Sequence, residues 1–275
     1  MNYGKNFKDR QKFCMKNIVT IVISTFNEEK NIKDCIASAK ILSDYIQVID
    51  MESTDKTVSI AAKEHVKIYS FPPTQYVEPA RGYSIEKAES DWVFILDADE
   101  RITPELAEEI KSVIQNQKYS YYKLARKNIF GNQWLKHGGW WPDYQIRLIY
   151  KPSFLKWPKE IHSTPEIDGE QGFLKEPLLH YFHGDFEQMV NKTILFENIE
   201  SNLLYKAHKS VSTATFFRKF FGELFRRLFK NFGFLDGDIG IIESIYQAFS
   251  KTITYLFLYE KSKKNLPAGR QGRSL

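Results

Sequence analysis

The chain has 275 residues, 15% of them aromatic and 27% charged, with a formal net charge of +5. That length suits one large α/β domain with an appendage or two modest domains, and the mild positive balance favours an anionic partner without identifying one. Two cysteines, Cys14 and Cys35, give no sign of a disulfide framework. There is no apolar run of the roughly 18 residues that span a bilayer and no visible secretory leader, so a reducing, cytoplasmic compartment is expected.

Residues 1–16 read as a flexible, basic lead-in. Asn17 to Ser24 (NIVTIVIS) is a β-rich apolar run, and Thr25-Phe26-Asn27-Glu28-Glu29 follows as a polar turn. Asn31 to Ala39 has helical spacing, with Ile32, Cys35, Ile36 and Ala39 on one face, which makes Cys35 a core residue rather than a nucleophile. Tyr45 to Asp50 is a second strand ending in an acid, and Ser53-Thr54-Asp55 can cap the helix after it. His65 to Tyr69 is a third strand, Ala80 to Ala88 a helix, and Trp92 to Leu96 a strand buried on both faces. Such alternation predicts an α/β fold with a mostly parallel, doubly wound sheet. The glycine fingerprints of dinucleotide and P-loop sites are absent.

The Trp92 strand runs into Asp97, Asp99 and Glu100. Side chains alternate along an extended chain, so Asp97 and Asp99 are expected on one side, where two carboxylates can hold a divalent cation together with substrate phosphates. Glu100 is assigned to the N-terminus of the helix that Thr103-Pro104-Glu105 begins. The polar clusters Thr25/Asn27/Glu28, Asp50/Ser53/Asp55 and Asp97/Asp99 all follow strands, and a parallel sheet sets such ends side by side at its ligand-binding edge. Asp50 can accept from the ring N–H of a nucleotide base. Arg81 and a cation at Asp99 can meet a diphosphate.

After Tyr119 the texture changes. Tyr121 to Ala125 and Gln145 to Tyr150 read as strands on either side of a Gly-Trp-rich loop, Lys136 to Asp143. Lys159 to Pro165 is a second polar loop, Leu178 to His183 a short strand holding His180 and His183, and Gln188 to Lys206 an amphipathic helix. In Ser212 to Asp236, Phe217, Phe221, Leu224, Phe225, Leu228 and Phe232 recur at helical spacing, with Arg218, Lys219, Arg226, Arg227 and Lys230 at other positions. The pattern fits a helix lying in an anionic membrane interface and fits internal packing of the Phe stripe equally well. Gly237 to Tyr259 gives one more amphipathic helix, and residues 263–275 read as disordered.

The segments Ile21 to Glu29, Val48 to Thr57 and Phe94 to Glu100, in that order, resemble the family-two inverting glycosyltransferases of the GT-A fold. Ala80-Arg81-Gly82-Tyr83 is similar to a further segment of that family, with Gly82 where Asn is usual. Gly139 to Leu148 and Gly233 to Gly237 resemble the subgroup that includes lipopolysaccharide core glucosyltransferases. The resemblance implies a GT-A catalytic domain over residues 17–206, with a nucleotide-sugar half (17–118) and an acceptor half (119–206). Residues 207–262 then form a helical extension, the part that would meet a membrane. It also implies a nucleotide-sugar donor, usually a UDP-sugar, a divalent cation (Mg²⁺ or Mn²⁺), and a glycan or lipid-linked acceptor, with no nucleic acid involved. By position, Thr25, Asn27, Glu28 and Asp50 would surround the nucleotide, Arg81 and Asp97 would help to position it, and Asp99 would be the metal ligand. Met51-Glu52 departs from the commoner Asp/Ser-Gly pair.

Inverting transfer needs a base within hydrogen-bond reach of the acceptor hydroxyl. Asp143, placed where the family usually carries its catalytic acid, is the first choice and Glu160 the second. Trp140 and Trp141 can stack on a sugar or pack the loop, and His162 and His183 are further acceptor-side candidates. Two other readings are a sugar-phosphate nucleotidyltransferase, which expects a Gly-rich basic loop after the first strand, and a non-catalytic peripheral membrane scaffold of the same fold.

Overall fold

In the computed structural model, which describes residues 18–74, 76–161, 163–182 and 186–264, the expected alternation forms. The first half runs β1 (Val19–Thr25), α1 (Ile32–Ala39), β2 (Ile46–Asp50), α2 (Thr57–Lys63), β3 (Lys67–Ser70), α3 (Glu78–Lys87), β4 (Trp92–Asp97), β5 (Glu100–Arg101) and α4 (Pro104–Asn116). Strands β6 (Tyr121–Phe130), β7 (Gln133–Trp134), β8 (Asp143–Tyr150), β9 (Phe154–Lys156), β10 (Glu166–Ile167), β11 (Gln171–Phe173) and β12 (Leu178–Tyr181) follow. Helices α5 (Phe186–Lys206), α6 (Thr213–Phe225) and α7 (Gly237–Lys264) complete the described chain. The two- and three-residue strands are too short to carry a periodicity in the sequence. Residues 1–16, His162 and His183 lie outside the described residues, as does 265–275 of the expected tail; residues 263 and 264 belong to α7.

The chain divides into two compact units, one of residues 1–127 and 143–180 and the other of residues 128–142 and 181–275. In the first, β3, β2, β1 and β4 are parallel neighbours, and β8 and β6 continue the sheet antiparallel to each other. The sheet is therefore mixed beyond β4. Alternation along β1 and β4 sends side chains to two cores. Val19, Ile21, Ile23, Phe94 and Leu96 pack with Ile32, Cys35 and Ile36 of α1 and Leu106 and Ile110 of α4. Val22, Val93 and Ile95 pack on the other face with Ile85 and Ala88 at the end of α3. Each fully buried aliphatic side chain contributes about 1.5–3 kcal/mol. The Cys35 thiol is fully buried, and that burial pushes its pKa well up, as a core role requires. Thr103 caps α4 by accepting from Leu106 N (3.2 Å), with Pro104 in the first helical position.

The second unit centres on Phe130, Leu135, Phe182 and Met189, packed with Trp140, Ile239 and Tyr246. Residues 128–142 and 181–206 fold with the C-terminal helices in this unit. Asp236 is one of its ties. Its carboxylate accepts from Lys136 N (2.9 Å) and His137 N (2.7 Å) and meets His137 Nδ1 (2.7 Å), tying a distant turn into the Gly-Trp loop. Gly139 in that loop has φ +85°, and a Cβ there would meet the Asn231 side chain at 2.8 Å, so glycine is required. The Phe-rich stretch is not one helix. α6 passes into a π turn (Arg226–Lys230) and, beyond Phe232 at φ 55°, a 3-10 turn (Gly233–Asp236).

Candidate functional site

The carboxyl ends of three neighbouring strands bring the candidate residues together. Register pairs Thr25 with Asp50 and Ser24 with Asp97, so β2, β1 and β4 deliver their ends side by side. The loops beyond β1 and β2 are stitched to each other. Asn27 N donates to Ser53 Oγ (2.9 Å), Glu28 N to Thr57 Oγ1 (2.8 Å) and Glu29 N to Asp55 Oδ2 (3.0 Å), while Thr54 N donates to Asn27 Oδ1 (2.8 Å). Burial pushes the Asp55 carboxyl up, but hydrogen bonds from the Thr57 side chain and backbone and from Glu29 outweigh it, and its pKa lies below the usual value. Asn27, through its backbone and side chain, and Glu28, through its backbone N–H, thus hold the two loops together.

Asp50 Oδ2 accepts from Ser53 N (3.0 Å), whereas Asp50 Oδ1 and Thr25 Oγ1 are buried without a hydrogen-bond partner among the described residues. A buried acceptor and a buried hydroxyl on adjacent strands cost stability unless a ligand satisfies them. Glu52, just beyond, has φ 60°, the backbone region that favours glycine.

Asp97 lies in a chain of alternating charge. Arg81 Nη2 donates to its two oxygens (3.0 and 3.2 Å), and Arg147 Nη2 to Oδ2 (2.6 Å). Arg147 Nη2 also meets Glu100 Oε1 (2.5 Å), which Arg126 Nη1 approaches at 3.3 Å, and Arg126 Nε and Nη2 hold Asp143 Oδ2 (2.8 and 2.6 Å). Gln145 Nε2 donates to Asp143 Oδ1 (2.8 Å). Three arginines and three acids therefore alternate from Arg81 to Asp143. Burial acts to raise the Asp97 pKa, but Arg147 first and Arg81 next hold it far below the usual carboxylate range. Burial acts against the Arg147 charge, and Asp97 and Glu100 outweigh that and raise its pKa further.

Two expectations change here. β4 ends at Asp97, and Ala98-Asp99 form a turn, so strand alternation does not carry Asp97 and Asp99 to one side. Asp97 faces arginines, and Asp99 lies 3.5 Å from His180 Nε2. Glu100 does not serve the following helix, whose cap is Thr103. It is fully buried in the arginine network and accepts from Asp97 N (2.9 Å).

Among the described residues no three His, Cys, Asp or Glu side chains converge to hold a metal ion. Asp99 and His180 provide two donors at the sheet edge. That number fits an ion of the Mg²⁺ or Mn²⁺ kind whose other ligands are diphosphate oxygens and water.

The remaining candidates are placed as follows. Glu160 is exposed in the turn before Ser163, and among the described residues no polar contact joins its side chain to the network. Trp140 is half-buried, and Phe182 (4.8 Å between centroids) and the Arg227 guanidinium (5.2 Å) pack on its ring. Trp141 is 36% exposed and meets Trp134 edge-on at 5.2 Å. The acidic strand ends that mark the site in the sequence do not mark Arg126 and Arg147. An arginine amid apolar residues, as in Gln145-Ile146-Arg147-Leu148-Ile149, was the available signal, since a charge in a buried strand needs a partner.

The profile of the family described as "Glycosyl transferase family 2" matches residues 20–182, more than half of the chain. The chain belongs to glycosyl transferase family 2. It is a glycosyltransferase with the GT-A fold and a helical C-terminal region. Similar proteins include an uncharacterized glycosyltransferase of Rickettsia conorii, 28% identical over 260 residues that cover 90% of this chain and 92% of the relative. Another, of Rickettsia typhi, is 29% identical over 265 residues, covering 91% and 89%. Among solved structures, S. aureus TarS 1-349 in complex with UDP-GlcNAc is similar at 13% identity and a TM-score of 0.48, covering 91% of this chain and 93% of that one. Family membership assigns glycosyl transfer in place of nucleotidyl transfer, in keeping with the polar Thr25-Phe26-Asn27-Glu28-Glu29 turn where a phosphate loop would stand.

Proposed function

We propose that this family 2 enzyme transfers a sugar from a UDP-sugar to a cell-envelope glycan or lipid-linked acceptor by a single inverting displacement. The unsatisfied Thr25 Oγ1 and Asp50 Oδ1 carry the donor half of this reading. A uracil ring supplies both a ring N–H for Asp50 and a carbonyl for the Thr25 hydroxyl. Arg81 engages Asp97 through Nη2, which leaves Nε and Nη1 to meet a diphosphate. Asp99, with His180 beside it, would hold a divalent cation, which when bound offsets charge on the departing diphosphate.

On the acceptor side, Asp143 accepts the proton of the attacking hydroxyl while that oxygen bonds to the anomeric carbon and the bond to the diphosphate breaks. Arg126 and Gln145 fix its orientation. The resemblance of Gly139 to Leu148 and Gly233 to Gly237 to lipopolysaccharide core glucosyltransferases supports an envelope acceptor. Asp99→Ala should abolish Mn²⁺-dependent turnover of UDP-sugars screened with lipid-linked and core-oligosaccharide acceptors; a fully active variant would sink the metal assignment.

A further inference from the structure

We infer that the second unit carries a docking surface for an anionic lipid bilayer, built from a basic cavity at the start of α6 and the ridge of phenylalanines that leads away from it. The inference stands apart from the donor site. The periodic Phe stretch separates into two rows. Phe216 is half-buried and meets Tyr259 of α7 (6.3 Å between centroids), and Phe220 is half-buried too. Phe217, Phe221, Phe225 and Phe229 are 62%, 58%, 62% and 54% exposed, a level unusual for four large side chains in succession. They stand four residues apart and so follow one ridge of the helix. Straight α-helical spacing lets such a row drift round the axis, and the π turn at Arg226–Lys230, with more residues per turn, rotates Phe229 back toward it. Phe232, Phe234 and Leu235 extend the exposed apolar surface beyond the turn.

The ridge starts at Thr213, one step before Phe217, and Thr213 lines a cavity of about 740 Å³. Lys206, His208, Lys209, Tyr259 and Lys263 line it as well, and Lys263 Nζ lies 5.5 Å from the Tyr259 ring centre. Residues 205–230 hold seven Lys or Arg against one acid, Glu223, and that acid is engaged by Arg226 and Arg227. Cations beside an exposed aromatic ridge match the layering of a bilayer surface, where phosphates lie above acyl chains. The cavity takes the headgroup phosphate and the ridge enters the interface. A second copy of this chain is the poorer occupant, because a two-fold contact over the same ridge would set like charges against each other. Among the described residues no helix is long and apolar enough to cross a membrane, so attachment on this surface would be interfacial.

The test is flotation of the full chain with vesicles of phosphatidylcholine, alone or mixed with phosphatidylglycerol. The unaltered chain should float with the mixed vesicles and be released by salt. Phe217→Ser/Phe221→Ser should weaken partition by about tenfold or more. Lys206→Gln/Lys209→Gln/Lys263→Gln should abolish the preference for phosphatidylglycerol. As a check independent of folding losses, Phe221→Trp should gain emission quenchable by brominated lipid over the parent. Adding inorganic phosphate separates a free-anion site from a lipid surface: it should not release the protein beyond the effect of matched ionic strength. Equal binding to both vesicles, no binding, specific release by phosphate, or a dimer in light scattering that only the Phe substitutions dissociate would each overturn the proposal.

Discussion

Arg147 Nη2 lies 2.6 Å from Asp97 Oδ2, joining the middle of β8 to the last residue of β4. Arg147 is 2% exposed, so its charge has left water and depends on Asp97 and Glu100 for compensation. Arg147→Met should leave two acids without this partner and lower the unfolding free energy by about 3–5 kcal/mol in urea titrations. A loss below about 1 kcal/mol would show that Arg81 and Arg126 hold the acids unaided.

Two acids give opposite pH dependences. Asp97 has a depressed folded pKa, so its stabilisation is present above the unfolded value near 3.9 and is lost as pH falls through the folded value. Glu243 is buried, and burial raises its pKa, so its contribution is greatest below the unfolded value near 4.3 and declines as pH rises through the folded one. Glu243→Gln should therefore lose less stability than the parent between about pH 4 and pH 8. Parallel stability curves over that range would contradict it.

Glu52 stands at φ 60°, in the left-handed backbone region that favours glycine. A non-glycine residue there costs about 1 kcal/mol, so Glu52→Gly should raise the thermal midpoint or leave it unchanged, despite the extra freedom of the unfolded chain. A fall of several degrees would mean that the Glu52 side chain makes a stabilising interaction.

The sheet edge was legible because each of its strands is a largely apolar, β-rich run ending in polar residues. Val19 to Thr25, Ile46 to Asp50 and Trp92 to Asp97 satisfy that pattern in one dimension. The arginine network was not legible, since Arg126 and Arg147 join it only through the pairing of β6, β8 and β4. Strand alternation misled at Asp99 because the strand had ended two residues earlier. For Trp140 the sequence allowed both sugar stacking and loop packing, because the Phe182 and Arg227 that pack on its ring are distant in sequence.

Asp143→Asn tests the base. The side chain keeps its volume and an oxygen for Arg126 but cannot accept the acceptor proton. Transfer should fall by about 10²–10⁴-fold while UDP-sugar affinity by calorimetry changes little. Near-normal transfer would move the base elsewhere, with Glu160 next in line.

The most direct test of the donor site is calorimetric titration of UDP into the unaltered protein and into Asp50→Ala, with Mn²⁺ present. Removing the acceptor for the base N–H should weaken binding by about ten- to a hundredfold, the equivalent of one lost charge-assisted hydrogen bond. Equal affinity in the two proteins, or no UDP binding by the unaltered one, would contradict a nucleotide site at the ends of β1 and β2.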